Sequence, residues 1–361
     1  MSNSISIIGA SGAVGSTLAG QILRSGLLKF GDRLQLVGHG LPSSSARLLS
    51  NRIDLMDAFD DEGVDIEVAA DLRDIDGDIV VMCAGVTLQN GITDRRALGR
   101  GNLALFEDIA EACAVHVPDS LFIIVSNPVE LAVKIFSEKL GRLRVLGMGA
   151  EQDSLRFARA IAHDLGISRH FVTASVLGEH GQAMVPLWGS VRIDTANEQI
   201  LEEFEQIVSR SAGIPLEERA AILRAHVLEL LKSEQIGEAY ERSRQALPDA
   251  RIFVQPLITG HTIHSTPNAT SNATLRFISA ALSDIPTSLH GQVQLCGEFL
   301  GLQGTCGVPL VVSSQGWQVG TEDGISPEET ERVVHAAESI GRYLSGIIQE
   351  PSHSSDALAC A

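Results

Sequence analysis

The chain has 361 residues, room for two domains or one large one, and at 44% hydrophobic and 20% charged it can build a sizeable core. A net charge of −18 argues against nucleic acid and anionic membrane surfaces as partners, so a site for an anionic ligand must carry its own Arg or Lys. Five Cys without a C-x-x-C pair fit a reducing compartment, no apolar run reaches the ~18 residues of a membrane span, and a first strand near Ser4 leaves no room for a signal peptide, so a cytoplasmic protein is expected.

A short apolar strand at 4–8 runs into the turn Gly9-Ala10-Ser11-Gly12-Ala13-Val14-Gly15, and a helical pattern follows over 16–24. Glycines in a strand–turn–helix context let the backbone approach a pyrophosphate, which the helix N-terminus favours. The competing reading is an ordinary βα turn. A second strand at 33–37 should end in the acid that binds a ribose hydroxyl, about 20 residues after the turn. Instead it ends in Gly38-His39-Gly40, followed by a Ser-rich stretch and Arg47. His39, the serines and Arg47 suit a 2′-phosphate, or the Ser and Arg simply cap the next helix. The choice between NAD and NADP stays open.

Further buried-type strands are expected at 78–85, 121–125 and 144–149, with a polar loop over 86–94 and a helix over about 95–115. Strands alternating with helices give a parallel, doubly wound sheet, whose ligands bind beyond the carboxyl ends of the strands. Gly9 to Gly15, Gly85 to Arg95 and Ser126 to Pro128 all fall there.

After residue 150 a helix is expected over 153–165 and a short strand over 171–176, which leads into Leu177-Gly178-Glu179-His180-Gly181. A His between glycines sits on a turn with space around its ring. Asp153, which can orient it, and Arg156, three residues on, suit proton transfer beside a bound anion. Read separately, His180 is a structural turn histidine and Asp153 and Arg156 a solvated i,i+3 pair at a helix start. Helical patterns follow over 197–232 with a break at Gly213-Ile214-Pro215. The span 233–269, with Pro248, Pro256 and Pro267, reads as a polar, irregular insertion, a surface loop or subunit contact. His261 and His264 within it face one metal only if a third ligand joins them, and none is in register. Antiparallel strands at 292–299 and 308–312, and a closing helix from the capping box Ser326-Pro327-Glu328-Glu329, complete the chain, with a frayed tail at 351–361.

Five pieces, in order, resemble the lactate/malate dehydrogenase family: Gly9 to Gly15, Ala84-Gly85, Ser126-Asn127-Pro128, Asp153-Ser154-Leu155-Arg156-Phe157 and Gly178-Glu179-His180-Gly181. The resemblance covers nearly the whole chain. It implies a Rossmann-type doubly wound parallel sheet over 1–150 that binds NAD or NADP, followed by an α+β substrate domain over 151–361, in a homodimer or homotetramer. It implies His180 as the acid/base, Asp153 as its hydrogen-bond partner, Arg156 as the grip on a substrate carboxylate, and Asn127 as a contact to substrate and nicotinamide. Gly9, Ala10, Gly12, Ala13, Val14, Gly15, His39, Ala84, Gly85, Asn102 and Ser126 fall on the cofactor side, and Thr274 near the substrate.

The loop expected to close over substrate departs from the pattern. Counting from Gly91, its carbonyl-polarising Arg falls on Asp94; counting back from Asn102, on Arg95. One inserted residue reconciles the counts on Arg95, with Arg96 next to it as the alternative. The position that selects substrate falls on Leu88, or on Gln89 if the register shifts by one. Leu88 cannot pair with a second carboxylate and would leave room for a larger apolar 2-oxo acid. The expected activity is interconversion of a 2-hydroxy and a 2-oxo acid by hydride transfer. The alternative is a dinucleotide-binding relative with lost or altered catalysis. A nucleotide-sugar enzyme would want a metal site or a Tyr-x-x-x-Lys pair, and neither is evident.

Overall fold

The protein is described by a computed structural model over residues 2–38, 42–60, 63–86, 95–263 and 265–349. Its sheet starts from short apolar runs. β1 (Ser4–Ile8), β2 (Arg33–Val37), β3 (Asp65–Ala69), β4 (Ile79–Met82), β5 (Leu121–Ile124) and β6 (Val145–Gly147) lie in the order β3-β2-β1-β4-β5-β6, all parallel. Near-continuous Val, Ile and Leu marks strands buried on both faces, as β4, with all four residues buried, illustrates. The helices α1 (Ala13–Ser25), α2 (Pro42–Phe59), α3 (Gly99–His116) and α4 (Val129–Leu140) connect them. Strand order reverses between β1 and β4, so the loops leaving these two strands diverge and open a crevice.

The sheet continues past β6 in antiparallel fashion. After α5 (Gly149–Asp164) the chain adds β7 (Val172–Gly178) and β8 (Met184–Ile193), and β9 (Thr287–Cys296), β10 (Gln303–Ser313) and β11 (Gly316–Val319) come later. β9 pairs with β6 and carries β10, which pairs with both β7 and β11. This is the parallel sheet followed by α+β structure that the alternation and the resemblance imply, joined among the described residues into one eleven-stranded sheet. One apolar core runs from β1 through β5 to β9, β10 and the closing helix α11 (Pro327–Gln349).

The span 233–269 differs from expectation. Instead of irregular chain it forms α8 (Ile236–Arg244) and α9 (Pro248–Ile263) and enters α10 (Pro267–Ala281). Two of the prolines that suggested breaks begin helices, where a missing N–H costs nothing. Only Pro256 lies inside one. With α6 (Glu198–Ser211) and α7 (Leu216–Lys232), on either side of the expected break at Gly213, these helices build two smaller cores. α10 begins at Pro267, so Thr274 falls inside the helix. Strands β3, β8 and β11 were not foreseen. No helix among the described residues is long and apolar enough to cross a membrane.

Candidate active site

The turn after β1 is shaped by two close approaches. Gly9 has φ +84°, and a Cβ there would stand 2.7 Å from the backbone nitrogen of Ala84. A Cβ on Gly15 would stand 2.5 Å from the Gly9 carbonyl oxygen. The turn is therefore pressed flat against the end of β4, and side chains would lift it off. Gly12 caps α1 with no side-chain hydrogen bond, so the helix N-terminus is exposed as backbone dipole alone. Ala10 is fully buried, Ala13 opens α1, and Val14 reaches the cavity described below. His39 and Leu88 lie outside the described residues, as do Gln89, Gly91, Asp94 and His264.

The ends of β4 and β5 are tied together at the same level. Ser126 donates to the Ala84 carbonyl at 2.6 Å. Asn102, buried on α3, accepts from the Val86 N–H at 2.7 Å and donates to the Asn127 carbonyl at 2.8 Å. The Asn127 Oδ1 is buried on the cavity side with no hydrogen-bond partner among the described residues. A buried acceptor left unpaired costs about 1–3 kcal/mol, which a ligand N–H or O–H placed there would recover. The flat glycine turn, the uncapped helix start and this acceptor fit a nicotinamide dinucleotide along the crevice.

On the neighbouring wall, α5 and the turn after β7 bring a charged triad together. Asp153 and Arg156 lie one helical turn apart on the same face. Asp153 Oδ2 is 2.7 Å from His180 Nδ1, and Arg156 Nη1 donates to Asp153 Oδ1 at 2.8 Å. Asp153 is fully buried and His180 is 5% exposed, so this carboxylate–imidazole bond works in a low dielectric. An ionised Asp153 makes Nδ1 the proton-bearing nitrogen and turns Nε2 to exchange chemistry. The His180 N–H donates to Glu130 Oε1 at 2.6 Å. Gly149 gives the ring its place, because a Cβ there would collide with the imidazole. Gly178, at φ +85°, makes the turn, and a Cβ would meet the Ala183 carbonyl at 2.8 Å.

Arg96 reaches this turn from the segment before α3. It forms a two-pronged pair with Glu179 at 2.6 and 2.9 Å and donates to Ser339 on α11 at 3.1 Å. Tyr343 lies under its guanidinium at 5.1 Å and donates to its carbonyl at 3.0 Å. Arg95 begins the same 3₁₀ turn, Arg95–Leu98, and its side chain lies outside the described residues. Glu130 and Glu179 are the residues that sequence reasoning left without a role, and Arg96, the alternative to Arg95 for the carbonyl-polarising Arg, is engaged with Glu179 instead. Glu179 stood inside the quoted His180 motif and was a readable signal; Glu130 had none.

His180, Arg156, Asn127, Ser126, Gly85, Val14 and Arg96 share the wall of one cavity of about 810 Å³. Thr274 does not. It is fully buried and its hydroxyl donates to the Thr270 carbonyl at 2.9 Å. One turn earlier on α10, Thr270 does line the cavity, with Thr266 just before the helix. Thr266 lies 3.4 Å from Arg156 Nη2, and Gln152 Nε2 donates to Thr266 and Thr270 at 3.1 and 3.2 Å. The expected position is one helical turn too deep because the helix starts at Pro267.

A family model described as the lactate/malate dehydrogenase NAD-binding domain matches residues 3–147. The malate dehydrogenase of Desulforudis audaxviator is 31% identical over 350 residues, covering 95% of this chain and 98% of that one. The L-2-hydroxycarboxylate dehydrogenase (NAD(P)(+)) of Methanocaldococcus jannaschii is 32% identical over 210 residues, 56% of this chain and 65% of that one. The Cryptosporidium parvum lactate dehydrogenase, solved with lactic acid and nicotinamide adenine dinucleotide, has the same fold at 21% identity, with a TM-score of 0.75 over 97% of this chain and 99% of that chain. With full-length similarity at this level and the NAD-binding domain matched over residues 3–147, the chain belongs to the lactate/malate dehydrogenase family.

Proposed function

We propose that the protein interconverts a 2-oxo acid and a 2-hydroxy acid with NAD(P)H and NAD(P)⁺. The buried Asp153–His180 pair beside Arg156, in the cavity that also reaches the glycine turn, carries this reading. A bound dinucleotide would supply or accept the hydride at C2 of the acid. His180 gives a proton to the carbonyl oxygen in reduction and takes it from the hydroxyl in oxidation. Asp153 keeps the imidazole in the required tautomer and favours its protonated form. Arg156, steadied by Asp153 and Thr266, binds the acid's carboxylate. Asn127 orients substrate and nicotinamide through its side chain, and Arg95 polarises the carbonyl. Residues 1–150 hold the dinucleotide and 151–361 the acid, in a cytoplasmic homodimer or homotetramer.

The test is oxidation of NADH and of NADPH by the purified protein against pyruvate, oxaloacetate and branched or aromatic 2-oxo acids. Turnover with at least one acid is expected. Cofactor that binds without oxidation by any of them would sink the reading and favour a dinucleotide-binding relative without catalysis. Light scattering of the same sample checks the assembly.

A further inference from the structure

The cavity does not end at the reacting groups. An arm continues between α7, α8 and α9, lined by Leu228, Leu231, Ile236, Phe253, Pro256 and Leu257. These three helices share a core of their own, with Val227 and Ala239 fully buried against α9 residues such as Val254. α9 leads directly to Thr266, the partner of Arg156 and Gln152, so the arm opens beside the group that grips the carboxylate. Its polar groups stand at the solvent edge. Lys232, Glu234 and His261 are exposed, and the last two face each other at 3.6 Å. Arg224 sits where this cavity meets a second one, of about 740 Å³, between α7 and α11.

The lining separates the possible occupants. The same cavity of about 810 Å³ that holds His180, Arg156 and Asn127 continues among the apolar side chains of α7, α8 and α9. A second carboxylate among Leu228, Leu231, Ile236, Phe253, Pro256 and Leu257 would exchange hydration for hydrocarbon contacts, the cations Arg224 and Lys232 standing at the junction with the second cavity and at the solvent edge, whereas each buried methylene gains about 0.8 kcal/mol. We propose that this arm receives the side chain of the substrate, and that the substrate is a 2-oxo acid with a branched aliphatic or aromatic group beyond C3 rather than pyruvate or oxaloacetate. This rests on the reading of the protein as a 2-hydroxy acid dehydrogenase.

The experiment separates binding from turnover. The His180→Asn variant in complex with NADH, or NADPH if that binds better, is titrated calorimetrically with 4-methyl-2-oxopentanoate, phenylpyruvate, pyruvate and oxaloacetate. At least one of the two larger acids should bind about tenfold or more tightly than pyruvate, the scale of one or two methylenes in an apolar pocket. Leu257→Trp and, separately, Leu228→Trp in the same background should erase that preference, with folding checked by circular dichroism. Equal or tighter binding of pyruvate or oxaloacetate, binding of none of the acids, or a preference that survives both tryptophans would overturn the proposal. In the wild type the same preference should appear in kcat/KM. If nothing turns over while the binding preference holds, the arm stands and the catalytic reading falls.

Discussion

The start of α5 holds two histidines with two carboxylates, and it uses them differently. Asp153 takes His180 Nδ1, and the ring lines the cavity. Two residues earlier, Glu151 faces His290 on β9: its Oε2 accepts from the His290 N–H at 3.1 Å and lies 3.4 Å from Nδ1. The other ring nitrogen of His290 is 3.3 Å from Glu322, and Arg276 closes the cluster on Glu151 at 2.7 Å. Burial pushes the His290 pKa down, but the hydrogen bonds and charges of Glu151 and Glu322 outweigh it and raise it to about 9. Burial likewise opposes ionisation of Glu151, yet His290 and Arg276 hold its carboxyl below the usual range. A histidine between two carboxylates is a fixed cation that staples β9 to α5. A histidine held by one carboxylate at the wall of the cavity, beside Arg156, is placed for acid/base work. The residue types are the same, and the difference lies in where the ring stands: His180 lines the cavity, and His290 sits between Glu151 and Glu322 away from it.

The comparison breaks first at His180. His180→Asn should lower kcat by about 10³-fold, within the range general acid–base groups supply, while dinucleotide affinity by fluorescence titration stays within about threefold. A kcat within about tenfold of wild type would place both histidines in the same structural class. Asp153→Asn keeps the shape but removes the charge that orients the ring, and should cost about 100-fold in kcat with an altered pH profile; an unchanged profile would show that His180 does not depend on it. Arg156→Lys keeps a charge but loses the fork. It should raise KM for the acid by roughly 10- to 100-fold with a smaller change in kcat, and an unchanged KM would take Arg156 off the substrate.

How much of this was legible follows from distance along the chain. β1, β2 and the glycine turn announce themselves within a dozen residues, as an apolar run meeting glycines at a helix start. Asp153 and Arg156 are one helical turn apart, and spacing alone puts them on one face. Their partners are far away: Glu130 meets His180 across 50 residues and Arg96 meets Glu179 across 83. No local period reports such pairs. β3 was missed because its Asp65 and Glu67 dilute the apolar pattern on an edge strand. The helices over 233–269 were missed because their prolines read as breaks. Those unforeseen helices build the arm of the cavity, so the segment that sequence described least carries the selectivity proposed for the site.

The gentlest test falls on the other histidine. His290 lies outside the cavity wall, so His290→Gln should leave kcat at moderate temperature within about twofold, as for a change that acts on stability alone. Its effect belongs to stability and has a definite sign. The folded protein binds this proton more tightly than the unfolded chain, whose histidine titrates near 6.5. The stabilisation is therefore complete below about pH 6.5 and disappears as pH rises through about 9. At about 1.4 kcal/mol per unit the difference amounts to roughly 3 kcal/mol, or on the order of 5 °C in Tm. Thermal melts across that window should find the wild type losing stability with rising pH and His290→Gln nearly flat, with the two curves converging above pH 9. Parallel curves would mean that Glu151 and Glu322 hold the imidazole by packing rather than by charge, and the contrast with His180 would then rest only on which ring lines the cavity.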